Sequence, residues 1–417
     1  MKKRWQVLIL IGLVCLSTGW SSASYAQTEN VLRGMLARVP NTSAIREELL
    51  SYLDLDALIT ARTGAAHPRS IAEWDALDQT SEAAGLYNAV RLGIGAGMPE
   101  VIQTFRMYNE MRTATGIDLF TIDRMMTGNK PPSTLNILEG SFVPKSISTA
   151  FAQREYKQTT EGDYTVLCPP GGCDSGLKLN LKKRDVANPF GGKLGRSEPL
   201  AVSAQAVLNS PDYAILDSAL KVQDKLNDSL AANKDYLSIT NAADGIGTVL
   251  QAYYIPAPLV SAFDLYLPVS LTAQQQEELR DAFTKSLKPI PQYSLALFAH
   301  VARSTDQAVI VALTFDSEED AKTAAEELPK RLDVYQSVRA QRPFIELITE
   351  RGGKIESTDV VSDAETGKFV VVMTISAPWE TNEKVEDRYV ASGILFRLFF
   401  SSLAARDTAW LITQVPE

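Results

Sequence analysis

Three stretches near the C-terminal end constrain the fold most: SLALFAHVAR (294–303), AVIVALTF (308–315) and KFVVVMTIS (368–376). Each is of strand length and rich in Val, Ile, Leu and Phe. The first two are separated only by the polar STDQ, and the third follows KIESTDVV across the turn DAETG. Segments like these read as β-hairpins with polar connections. The stretch SEEDAKTAAEELPKRL between them has helical spacing, with Ser317 and Asp320 at capping-box positions and acids on the first turn. The spacing therefore predicts hairpin, helix, hairpin, which is an antiparallel sheet with helices on one face.

The middle of the chain has the same character. TLNILEGSF is a strand, Pro144 opens a helix through SISTAFAQRE, and DYTVLC is the next strand. LKLNL, PLAVSA and QAVLNS read as further short strands. A helix follows, capped at Ser210 with Pro211 first inside, and GTVLQAYYI closes the region as a strand. FVPKSISTAFAQR and FDSEEDAKTAAEEL echo one another in running from a strand end into an alanine-bearing helix, which suggests two related units. Upstream, residues 27–133 read mainly as helix, with Asp54 or Asp56 capping a helix near Ala57. Gly93, Gly95 and Gly97 lack the spacing of a dinucleotide loop and read as a turn. The expected class is α+β: a helical N-terminal region at 27–133, then strand/helix units at 134–267 and 268–417, with mostly antiparallel sheets carrying packed helices.

Lys2, Lys3 and Arg4, an apolar run from Val7 to Leu16, and small residues at Ser24 and Ala26 form a secretory signal with a cut after Ala26. The run is shorter than the roughly 20 residues a spanning helix needs. Removing it takes away three bases and no acid, so 41 basic residues fall to 38 against 50 acidic ones, a net charge of −12. That surface repels nucleic acid. The apolar C-terminal stretch 391–412 is broken by Arg397, Arg406 and Asp407. Its stripe Leu395, Leu398, Phe399, Ser402 and Leu403 suits a helix laid on the second sheet, so the mature chain is expected to have no transmembrane segment.

Cys15 leaves with the signal, and Cys168 and Cys173 remain in CPPGGC. A structural zinc wants four ligands, and the only histidines, His67 and His300, stand isolated. A redox pair spaces its cysteines by two residues, not four. The expectation is a disulfide, with the prolines and glycines supplying the reversal. No metal, cofactor or catalytic constellation is legible. GGCDSGLK resembles a phosphate loop but has Leu177 where the lysine must stand. The segment KKRDVANPFGGKLGRSEPL is too irregular for a helix or strand. Asn188, Phe190, Gly191, Gly192 and Arg196 make it a candidate ligand loop, unless Phe190 pins it into the core as a plain connection.

LARVPNTSAIREELLSYLDLDAL, followed by LEGSF, NSPDYAIL and GTVLQAYYI, resembles uncharacterised exported proteins of bacteria. The resemblance implies export and repeated α+β units, and it brings no reaction. The expected function is a non-enzymatic extracytoplasmic binding or interaction protein, secreted or held at the cell envelope, whose partner is an envelope protein or a small ligand. The alternative is an extracellular hydrolase working through a pair of carboxylates.

Overall fold

The computed structural model describes residues 30–78, 107–128, 131–223, 225–260, 272–275, 277–278, 281, 290–379, 384–385, 388–389 and 393–413. The signal segment and the Gly93–Gly97 stretch lie outside these. A single sheet of twelve strands organises the described residues. In chain order the strands are β1 (Leu50–Asp54), β2 (Ile122–Gly128), β3 (Leu135–Gly140), β4 (Lys157–Glu161), β5 (Tyr164–Cys168) and β6 (Leu200–Val202). They continue as β7 (Ala206–Asn209), β8 (Thr248–Pro256), β9 (Leu295–Ala302), β10 (Gln307–Phe315), β11 (Lys354–Asp363) and β12 (Lys368–Ala377). Their order across the sheet is β11-β12-β10-β9-β8-β1-β2-β3-β7-β6-β5-β4. Every neighbouring pair is antiparallel.

The N-terminal seven strands join the C-terminal five at the pair β1 and β8, in register from Leu50 opposite Tyr254 to Leu53 opposite Gln251. On either side of it the chain repeats one path. β3 leads through one helix to the outermost strand β4 and back inward to β5; β10 leads through two helices, with a two-stranded ladder between them, to the outermost strand β11 and back inward to β12. The first half differs by the hairpin β6–β7 inserted between β3 and β5.

Helices cover both faces, not one. The apolar runs of β10 and β12 send alternate side chains to opposite sides, and both sides are dry, so neither strand shows a polar face. On one face, Ile310, Ala312, Val370 and Val372 pack with α1 (Val31–Leu36), α5 (Tyr213–Val222) and α6 (Lys234–Asp244). On the other, Val309, Val311, Leu313, Val371, Met373 and Ile375 pack under α7 (Glu318–Val334), α8 (Phe344–Thr349) and α9 (Ile394–Ala404). The N-terminal half of that second face has a separate core under α2 (Leu55–Thr63), α3 (Tyr108–Thr115) and α4 (Pro144–Ala152).

The caps explain where several helices begin. Asp54 accepts from Ala57 N at 2.8 Å, and Ser317 accepts from Asp320 N at 3.1 Å. Pro144 stands in the first turn of α4, where its missing N–H is harmless. The cap of α5 is Asp212, not Ser210: Asp212 accepts from Ala214 N, and the Ser210 hydroxyl accepts from Asp212 N one step earlier. In α9, Leu395, Phe396, Phe399 and Ser402 are buried against β8 and β9. No helix of the described residues is long and apolar enough to cross a membrane.

Candidate functional site

Between β5 and β6 the chain leaves the sheet for thirty-odd residues, and this excursion is built from its base outward. Cys168 ends β5 and is disulfide-bonded to Cys173, with Cα atoms 4.6 Å apart. Inside that ring Gly172 N donates to Pro169 O at 2.8 Å, and the Ser175 hydroxyl donates to Gly172 O at 2.7 Å. CPPGGC is therefore a staple at the root of the loop.

The far root is pinned from within. Phe190 is 2% exposed and lies in the core with its ring 6.2 Å from that of Phe151 on α4. Asn188 is equally buried; its side chain accepts from Phe190 N at 3.1 Å and its carbonyl accepts from Gly192 N at 3.1 Å. Arg154 reaches Asp185 at 2.5 Å. Asn180 N donates to Gly195 O at 3.1 Å, which draws the two limbs together. Gly195 has φ +68°, and a Cβ there would stand 2.0 Å from Asn180 O, so only glycine fits this closure.

Asn188, Phe190, Gly191 and Gly192 thus form the buried frame of the loop, and Arg196 is half-buried with its backbone N–H on Gly191 O. What the frame presents to solvent is the stretch beside them. Leu177, Leu179, Leu181, Val186 and Leu194 are 40%, 59%, 59%, 54% and 42% exposed. Lys178, Lys182, Lys183, Arg184 and Lys193 are interleaved with them and exposed as well. The only acid between 177 and 194 is Asp185, already paired with Arg154.

LKLNL, whose alternation predicts a strand, is not one. Those residues form no ladder and lead into a single 3-10 turn at Leu181–Lys183. β5 already has β4 on one edge and β6 on the other, so no partner is left for a further strand. The alternation of leucine with polar residues, the signal taken for a half-buried strand, instead displays leucines to water.

Two clefts of about 480 and 470 Å³ open elsewhere. Glu161 and Asp163, on the β4–β5 turn, are the acids lining the first, beside Arg38 and Lys221. The second lies between α8 and α9, and its one acid, Asp407, is engaged by the Tyr335 hydroxyl, by Ser337 at 2.5 Å and by Val338 N at 3.0 Å.

No protein-family model matches the chain, and no curated protein sequence matches it. Two solved structures of TP0453, its crystal forms I and III, are similar over 88% of this chain and 96% and 97% of their own. The TM-score is 0.31 in both cases, with 7% and 8% identity. A likeness this distant assigns no residue a role.

Proposed function

We propose that this is an extracytoplasmic binding protein of the cell envelope that docks reversibly on an anionic lipid surface through residues 177–194. The observation that carries the reading is the set of five exposed apolar side chains interleaved with five exposed cations on one braced loop. The whole chain is acidic, at a net −9, so a stretch with five bases and one acid stands out against it. An acidic body discourages general adhesion to the same surface and directs the approach to the basic loop. Each cation near an anionic leaflet contributes about 1 kcal/mol, and each leucine moved out of water adds up to about 2 kcal/mol. Much of this gross gain offsets the cost of immobilising the protein on the surface, so attachment without a spanning helix stays reversible.

Sedimentation with vesicles tests this. The mature chain should bind phosphatidylglycerol-containing vesicles, lose most binding at high salt, and ignore pure phosphatidylcholine. Leu179→Ser with Leu181→Ser should weaken binding by about 2–4 kcal/mol without unfolding the protein, because both side chains are in water already. Equal binding to neutral vesicles, or retention only by acidic proteins, would refute the lipid reading. The hydrolase alternative would rest on Glu161 and Asp163, the acids flanking Gly162 in the first cleft.

A further inference from the structure

Three residues far apart in the sequence meet on the N-terminal half of the sheet. Asp56 is on the first turn of α2, Asp123 is on β2, and His67 lies in the connection after α2. Their ligating atoms all fall within 4.8 Å of one another. The His67 side chain is 1% exposed, and its Nδ1 is 3.9 Å from Asp56 Oδ1 and 3.9 Å from Asp123 Oδ1. That nitrogen has no hydrogen-bond partner.

A buried polar atom without a partner asks for an explanation. If Nδ1 carries a proton, the proton points at two carboxylate oxygens beyond hydrogen-bonding reach. If it carries the lone pair, three electron-rich atoms face each other. Among the described residues Arg69 is the cation paired with both carboxylates: its guanidinium is 2.5 Å from Asp123 Oδ1 and 3.7 Å from Asp56 Oδ1. Its side chain is half exposed and can swing into water, and it makes no contact with Nδ1 that would relieve the orphan.

We propose that Asp56, His67 and Asp123 bind one divalent transition cation of the zinc type, with water completing its shell and Arg69 displaced outward. One imidazole nitrogen and two carboxylate oxygens suit such an ion, whereas calcium and magnesium take oxygen alone. With bonds near 2.0 Å the ligand atoms of a tetrahedral site lie about 3.3 Å apart, so the present 3.9 Å separations need to close by only about half an ångström. This set is not legible in the sequence, because its members come from a helix, a loop and a strand that only the fold brings together.

Titration calorimetry of the full mature chain with Zn²⁺ should show a single equivalent bound, and Co²⁺ in its place should give the visible bands of a low-coordinate site. Asp56→Asn, an isosteric change at a half-buried position expected to fold normally, should lower zinc affinity by tenfold or more, and His67→Ala should do so further. Arg69→Gln should tighten binding by removing the competing cation. Absence of a stoichiometric zinc site, unchanged affinity in Asp56→Asn, or displacement of zinc by equimolar calcium would overturn the proposal. Circular dichroism of each variant separates loss of ligand from loss of fold.

Discussion

His300 sits fully inside the molecule, its Nε2 2.8 Å from the Gln307 side-chain oxygen and its ring stacked 5.5 Å from Phe396. Burial first, and then the neighbouring Arg62, push its pKa down to about 3. In the unfolded chain it titrates at about 6.5. Above that pH both states are neutral and the residue adds no pH dependence. Below it, the unfolded chain takes up a proton that the folded chain refuses until about pH 3, so stability falls as the solution is acidified through this window. The loss approaches a few kcal/mol. Urea unfolding from pH 7 to pH 4 should therefore show a slope that is largely removed in His300→Gln. An unaltered slope in the variant would place the acid sensitivity elsewhere. That His300 belongs to the core was legible from its place in an apolar strand. Its partner was not, because Gln307 belongs to the next strand and only the hairpin register brings the two side chains together.

At the scale of elements, hairpins and helix starts were readable because their causes are local: an apolar run, a turn, a cap at Ser317, a proline at position 144. Others were misread for the opposite reason. β1 is five residues in a mainly helical context, and it becomes a strand because β2 and β8 are there to bond it. β4, KQTTE, is exposed at every position and has no apolar pattern to detect. LKLNL had the pattern and lacked the partner. The irregularity of residues 182–200 was legible from the absence of any helix or strand period, whereas the burial of Asn188, Phe190, Gly191 and Gly192 was not, because it depends on α4 lying beneath them. Phe190→Ala should accordingly destabilise the protein by about 3–5 kcal/mol, as a cavity opened in the core beside Phe151. A change under about 1 kcal/mol in chemical denaturation would show that the loop stands without its pin.

Considered whole, the molecule is two similarly wound halves sharing one sheet, and β1 against β8 is where they join. A fragment ending at Gly245 keeps β1 and loses β8, so the backbone groups of Leu50–Leu53 that should face β8 are left open. Such an edge invites pairing with another chain. The fragment is expected to self-associate in analytical ultracentrifugation, and a monodisperse monomer would show that the N-terminal half closes its own edge. The same join sets a timetable for the intact chain. Leu53 and Gln251 are partners roughly 200 residues apart, a separation that slows folding because the intervening chain must be made and collapsed first. At about 5–20 residues per second of synthesis, β1 waits roughly 10–40 s for its neighbour to leave the ribosome. During that interval the newborn protein is half a sheet with a bare strand, and whatever shields that strand while it waits decides how much of the chain is ever completed.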